Sequence, residues 1–465
     1  MENVDLVVIG AGPAGYPAAI RAARHGANTV IIERELLGGT CLNWGCIPTK
    51  TLIAAAERYA MAGEASEYGI RHGKPAVDYA TMIARKNKVV NGLRKGIDGL
   101  LKSNTIKHLA GTAAFRDRNH IEVRKADGSA ELVSTKRVVI ATGTTSARPR
   151  FLPDHPRVVD SRAFLDIDRL PESLIVLGGG IIGCEFACMA ARLGVKVTII
   201  ELLDDILTLL DADVRRTVRD TMTKELGIRI LTGRALQDIE ADDKNVSGRC
   251  GEETIRAKLL LSAVGRIPVT EGLALERAGL ALDERGYLPV DAWGLTRTAS
   301  IAAAGDVNGG PQLAHAATSQ GLRIADNWFG AQRARLETLV PACIFTTPEI
   351  GAVGLGEQEA KEQELDVRCG RFPFMALGKA MALGDTTGFV KWIADAATGQ
   401  LLGAQAVGPH ATELIAEATL AIRAELTVTE LAHTIHSHPT LSESWVEAAE
   451  ALSGHCTHLP PSRKK

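Results

Sequence analysis

Two stretches of the chain share one order of apolar and polar positions. LVVIGAGPAGYPAAIRAARHGANTVIIE (residues 6–33) and LIVLGGGIIGCEFACMAARLGVKVTIIE (residues 174–201) each pass from a β-branched run through closely spaced glycines into an Ala-rich helical pattern, then a second apolar run and a glutamate. The offset is 168 residues throughout. Short continuous apolar runs read as strands buried on both faces, and the stretch between them reads as a crossover helix. Each copy therefore predicts one βαβ unit. Residues 174–195 are apolar enough to suggest a membrane span, but Glu185, Arg192 and five glycines argue for a buried strand and helix instead. Residues 78–102 predict a long amphipathic helix, with Arg85, Lys86, Lys88, Arg94 and Lys95 on a solvated face.

The glycines give these units a chemistry. Gly10, Gly12 and Gly15, and again Gly178, Gly180 and Gly183, stand in G-x-G-x-x-G spacing. In such a loop the first glycine permits the tight turn and the second lets main chain approach a pyrophosphate. The third allows close packing of helix on strand. The helix N-terminus that follows favours phosphate charge. Glu33 and Glu201 close their units where a carboxylate can accept hydrogen bonds from ribose hydroxyls. Leu202, Leu203, Asp204 and Asp205 follow Glu201, with no arginine to receive a 2′-phosphate, so the second unit is expected to bind NAD(H). The first unit suits FAD or another NAD.

Composition adds exclusions. With 465 residues, 46% of them hydrophobic, the chain can bury cores for several domains, and a net charge of −2 gives no general attraction to nucleic acid or membrane. The acidic start MENVD lacks the form of an export signal, so a cytoplasmic location is expected. Eight cysteines then do not read as a secreted disulfide framework. Cys184, Cys188, Cys250, Cys343 and Cys369 are expected to be core packing.

Cys41 and Cys46 differ, because they sit in GGTCLNWGCIPTK, directly after the first dinucleotide unit. A dithiol there suggests two-electron exchange between a disulfide and a flavin or nicotinamide. One irregular helical turn brings two such sulfurs together. Pro48 suits the first turn of a helix or a kink, and either puts Cys46 near free helix N–H groups that would stabilise a thiolate. Lys50 falls on the same helix face, four positions on.

With these residues the chain resembles the pyridine nucleotide-disulfide oxidoreductases, and among them the lipoamide dehydrogenases. GAGPAG, GGTCLNWGCIPTK, ATGT, GGGIIGCE, AVGRIP, AAGDV, FTTPEIGAVG and HSHPTLSE occur in the family's order across nearly the whole length. The resemblance implies an α/β fold with two Rossmann-like dinucleotide-binding domains and an α+β C-terminal dimerisation domain. It places FAD on residues 1–147 and 270–340, NAD on 148–269, and the interface on 341–465. Gly10, Gly12, Gly15 and Glu33 would bind FAD, with Ala113, Asp306 and Ala314 holding the rest of it. Lys50 would lie beside the flavin, paired with Glu185. Gly178, Gly180, Gly183, Glu201 and Gly265 would contact NAD.

Cys41 would exchange with substrate and Cys46 would face the flavin, while His438, oriented by Glu443, would be the base. The implied activity is oxidation of dihydrolipoamide, carried by a lipoyl-bearing protein, with reduction of NAD⁺. A homodimer would complete each site with the partner's histidine. The alternative keeps both cofactors and changes the acceptor to another disulfide or a metal ion. No metal site is expected, and the tail GHCTHLPPSRKK (residues 454–465) is expected to be disordered.

Overall fold

The repeated apolar runs become the centres of two parallel sheets. In the computed structural model, which describes residues 2–71 and 73–460, strand Glu2–Ile9 lies between Thr29–Glu33 and Ala130–Ile140, parallel to both. Lys107–Ala110 extends one side. On the other, Ile301–Ala303 returns from late in the chain to pair with Ala130–Ile140. The antiparallel strands His120–Arg124 and Thr112–Asp117 complete the sheet of seven. Val7, Val8, Ile31 and Val139 are fully buried: Val8, Ile31 and Val139 cluster with residues of helix Gly15–Arg24, and Val7 on the other face clusters with Phe115, Ile121 and Leu275.

In the second unit, Ser173–Leu177 lies between Lys196–Ile200 and Leu259–Ser262 within five parallel strands. The duplication reaches the register: Leu6 faces Thr29, and Leu174 faces Val197. Crossover helices Gly15–Arg24 and Ile181–Arg192 follow the glycine loops. A short antiparallel pair, Thr144–Ser146 with Arg266–Pro268, joins the two units.

A third sheet is antiparallel, ordered Ala342–Ile344, Glu349–Gly354, Leu401–Gly408, Phe389–Asp395 and Val367–Pro373. Helices Ala411–Arg423 and Glu443–Ser453 pack on it. Trp392 and Trp445 are fully buried with ring centroids 4.7 Å apart. Each indole N–H donates to a carbonyl, Trp392 to Trp445 at 3.1 Å and Trp445 to Leu414 at 3.2 Å. Large rings with satisfied polar tips give the last helix a single seat.

The long helix spans Tyr79–Ser103, capped by Asp78, whose side chain accepts from the Thr81 N–H at 3.0 Å. One of its expected solvated lysines is buried: Lys86 donates to the Leu165 carbonyl and to Asp166, both at 2.7 Å. Cys184, Cys188 and Cys250 are buried as expected, but Cys343 is half-buried and Cys369 is exposed. Cys369 lies on Val367–Pro373, an outermost strand of its sheet, and points away from the covered face. The tail is also better held than expected. The Cys456 thiol donates to Glu447 at 3.0 Å, and His458 Nδ1 pairs with the same carboxylate at 2.5 Å. Residues 461–465 lie outside the described residues. No described helix is long and apolar enough to cross a membrane.

Lys391, on the third sheet, is 2% exposed and reaches Asp211 at 2.7 Å, Asp213 at 2.9 Å and Glu357 at 2.7 Å. Asp211 and Asp213 come from the second unit, so one cation fastens that unit to the third sheet. Replacing Lys391 by Met leaves the carboxylates facing one another without a counter-charge. We expect a loss of about 3–5 kcal/mol, measured as a lower midpoint in chemical denaturation.

Candidate functional site

Each glycine loop is shaped by close backbone contact. Gly10 and Gly178 have φ of +98° and +109°, and an added Cβ would stand 2.3 Å from the Ala141 carbonyl oxygen or 2.5 Å from that of Ala263. A Cβ on Gly15 or Gly183 would strike the carbonyl of the first glycine. At Gly180 it would instead project into open space. Neither following helix has a side-chain cap or an acidic residue in its first turn. The positive end of each helix dipole is thus left uncancelled at its loop, which suits a pyrophosphate.

Glu33 and Glu201 do more than was read from their positions. Glu33 accepts from the N–H groups of Ala11 at 2.8 Å and Glu35 at 2.9 Å. Glu201 accepts from Gly179 at 2.6 Å and Leu203 at 2.7 Å, the equivalent groups of the second unit. Each carboxylate ties its glycine loop to the end of the second strand.

The cysteines lie beside the first loop. Helix Gly39–Trp44 carries Cys41, and helix Cys46–Glu64 begins at the second cysteine, with Pro48 in its first turn. Gly45 separates them in a bend where a Cβ would meet the Thr40 carbonyl oxygen at 2.8 Å. Both cysteines are free thiols here. The Cys46 pKa is pushed down to about 7, chiefly by the hydrogen bond from Cys41 and further by the Lys50 charge, against the opposing effect of burial. The same hydrogen bond, with burial, raises Cys41. Cys46 is thus the thiolate of the pair.

Lys50 donates to both oxygens of Glu185, at 2.9 and 2.8 Å. Glu185 is only 4% exposed and also accepts from the Phe345 N–H at 2.9 Å. Lys50 stands 4.7 Å above the Phe345 ring.

These groups line one cavity of about 2040 Å³, well above the roughly 300–1,000 Å³ of a single small-molecule pocket. Its walls include Gly10, Gly12 and Glu33 from the first unit, and Gly178, Gly180 and Glu201 from the second. Cys41, Cys46, Lys50 and Glu185 line the same cavity. Ala113, Gly265, Asp306 and Ala314 complete the expected set. Gly15 and Gly183 sit behind the loops, buried in their helices. The donor set and the open cradles fit two dinucleotides.

His438 and Glu443 stand apart from this cavity's lining. They pair with each other, His438 Nδ1 to Glu443 Oε1 at 2.8 Å, and the histidine side chain is 77% exposed. Burial acts to raise the Glu443 pKa, yet the Thr440 N–H and His438 outweigh it and hold the carboxyl below its ordinary value.

Some of the wall was not read from the sequence. Arg266 donates from Nε to the Thr144 hydroxyl and from Nη2 to its carbonyl, both at 2.7 Å, and Thr144 donates to Asp306 at 2.6 Å. Both residues lie in the quoted motifs ATGT and AVGRIP, which were the available signal. Gln320 accepts from the Gly305 N–H at 2.8 Å, fixing the turn before Asp306. Arg234 also lines the cavity near Glu201. It lies far along the chain, where nothing local marks it.

Comparison with known proteins agrees in extent. Residues 4–321 match the family described as pyridine nucleotide-disulphide oxidoreductase, and residues 340–449 match its dimerisation domain. The chain is 42% identical over 463 residues to a dihydrolipoyl dehydrogenase of Chlamydia pneumoniae, covering 99% of each. It is 43% identical over 467 residues to one of Haloferax volcanii, covering 98% of each. Among solved structures, LpdA from Mycobacterium tuberculosis superposes with a TM-score of 0.90 at 30% identity, over 97% of this chain and 100% of that one. The HOCl-induced flavoprotein disulfide reductase RclA from Escherichia coli does so with 0.87 at 31%, over 96% and 99%.

The thiol pair yields a pH test. Alkylation of the reduced pair should rise with pH through about 7, as Cys46 loses its proton. Lys50→Met removes the favourable charge and leaves Glu185, so the midpoint should move up by about one pH unit or more. Mass spectrometry of the alkylated peptide reads it.

Proposed function

The chain belongs to the pyridine nucleotide-disulphide oxidoreductase family, and from that premise we propose that it oxidises dihydrolipoyl groups to lipoyl groups while reducing NAD⁺ to NADH. The observation that carries this reading is the polarised thiol pair set beside two dinucleotide cradles in one cavity. Full-length similarity to dihydrolipoyl dehydrogenases supports the substrate class.

Gly10, Gly12, Gly15 and Glu33 would hold FAD, together with Ala113, Asp306, Ala314 and Lys50. Gly178, Gly180, Gly183, Glu201 and Gly265 would hold NAD⁺. The FAD domain comprises residues 1–147 and 270–340, a division supported by the pairing of Ile301–Ala303 with Ala130–Ile140. Residues 148–269 form the NAD domain and 341–465 the interface domain. Bound FAD supplies two-electron exchange between the cysteine pair and the nicotinamide.

The chain's own residues handle sulfur and protons. His438 takes a proton from one dihydrolipoyl thiol, and the resulting thiolate attacks Cys41 Sγ of the Cys41–Cys46 disulfide. That bond breaks and Cys46 leaves as a thiolate, stabilised by Lys50. The second substrate thiol then attacks the first substrate sulfur, which breaks the mixed disulfide to Cys41 and closes the lipoyl ring, its proton passing to the released Cys41 sulfur. Glu443 keeps Nδ1 of His438 occupied, so Nε2 faces the substrate.

His438 lies away from the cavity of its own chain, which supports a homodimer in which one protomer's histidine serves the other's thiols. The matched dimerisation domain supports the same arrangement. The partner is a lipoyl-bearing protein, and the location is cytoplasmic. A second reading, a reductase acting on another disulfide or a metal ion, draws on the likeness to RclA, solved also as a Cu(II) complex.

The test is NAD⁺ reduction by dihydrolipoamide with the purified flavoprotein. Cys41→Ser should abolish turnover, and His438→Ala should lower kcat by about 10²–10⁴-fold. Full activity in Cys41→Ser overturns the mechanism. Turnover with Cu(II) or another disulfide but none with dihydrolipoamide selects the second reading. NADP⁺ used as well as NAD⁺ would assign Arg234 the role denied to the residues after Glu201.

A further inference from the structure

The turn that carries His438 is held by two histidine–glutamate pairs of different kinds. His438 is exposed, and only its Nδ1 is hydrogen-bonded within the described chain. His436, two residues earlier, is the reverse case. Its side chain is 9% exposed and both ring nitrogens are engaged, Nδ1 with the Thr434 carbonyl at 2.9 Å and Nε2 with Glu417 Oε1 at 2.5 Å.

Proton counting fixes the character of this second pair. A carbonyl oxygen can only accept, and so can an ionised carboxylate, whereas a neutral imidazole has a single N–H to give. Two hydrogen bonds from one ring to two acceptors therefore need a second proton, held by the ring or shared with Glu417. His436 is set up as an imidazolium.

What the pair holds is otherwise loose. Residues 435–439 make no backbone-to-backbone hydrogen bond among the described residues. Ile435 is 98% exposed. Downstream, Glu443 anchors His438 and accepts from the Thr440 N–H at 2.7 Å. Upstream, the bond from His436 to Glu417 is the one described hydrogen bond joining residues 435–439 to helix Ala411–Arg423.

We infer that His436 is a positioning residue: with Glu417 it clamps the base-bearing turn onto helix Ala411–Arg423, and it does so in its protonated form. The inference rests on His438 being the base of the proposed reaction. Orientation of a proton acceptor matters steeply, since a misplacement of about 1 Å can cost on the order of 10²-fold in rate.

The groups facing His436 set the pH range. Glu417 comes from helix Ala411–Arg423, Glu443 from helix Glu443–Ser453, and the Thr434 carbonyl from its own segment. Burial works against the charge, but these groups outweigh it and hold the pKa above the ordinary histidine value. A raised value means that the clamp is fully made below the ordinary histidine pKa and is lost as pH rises through the raised one. Turnover should therefore fall on the alkaline side when the turn is released.

The experiment compares the FAD-loaded wild type with His436→Gln and Glu417→Gln. Two rates are read across pH: NAD⁺ reduction by dihydrolipoamide, and NADH oxidation by the dye dichlorophenolindophenol, which needs no thiol base. His436→Gln should lose about tenfold or more in the first rate, keep the second within about twofold, and lack the alkaline limb. Glu417→Gln keeps an acceptor but removes the charge, so its alkaline limb should move to lower pH.

Wild-type turnover and an unchanged limb in both variants overturn the clamp. If His436→Gln fails to retain flavin, the limb of Glu417→Gln decides alone, in favour if it moves and against if it stays. A wild type active with the dye and inert toward dihydrolipoamide overturns the proposed function instead.

Discussion

The arrangement depends on one buried ion pair. Glu185, on the helix of the second dinucleotide unit, is almost wholly removed from water, and its charge is balanced by Lys50 on the helix that begins at Cys46. A buried carboxylate without its cation would be costly. The two helices are therefore held in one relation, and the Phe345 N–H draws the start of the third sheet to the same carboxylate. The lysine that balances Glu185 also favours the Cys46 thiolate. Joining the domains and tuning the sulfur are thus one interaction.

Around that junction the duplicated units repeat each other to the level of single hydrogen bonds. Glu33 and Glu201 bind equivalent N–H groups in the same way. A carboxylate at this place holds its loop in shape. The repeat is broken where the chemistry is: the redox helix follows the first unit, while the second is followed by the loop bearing Asp204 and Asp205.

Local backbone rules were the most legible. Glycine spacing, apolar runs and the closing glutamates each state a constraint within about 30 residues, and the strands, loops and helices stand where these placed them. Side chains that depend on distant partners were not legible in that way. Lys86 falls on a polar face by periodicity, yet it is buried because Leu165 and Asp166 arrive to meet it. Arg234 enters the cavity from a segment whose local sequence says nothing of a ligand, and Arg266 is marked only by its place in AVGRIP. The Lys50–Glu185 pair spans 135 positions, and only the family resemblance pointed to it. Cys456 and His458 fall in a tail with no local pattern, yet Glu447 on the last helix holds both.

Turnover requires Cys41 and Cys46 to cycle between disulfide and dithiol as the substrate is consumed. The most direct measurement is anaerobic addition of one equivalent of dihydrolipoamide to the oxidised, FAD-containing protein without NAD⁺, followed by alkylation and peptide mass analysis. The expected result is a Cys41–Cys46 cross-link beforehand and, afterwards, label on both residues with one equivalent of lipoamide released. Free thiols at both positions in the oxidised protein, with substrate still turned over on adding NAD⁺, would contradict it.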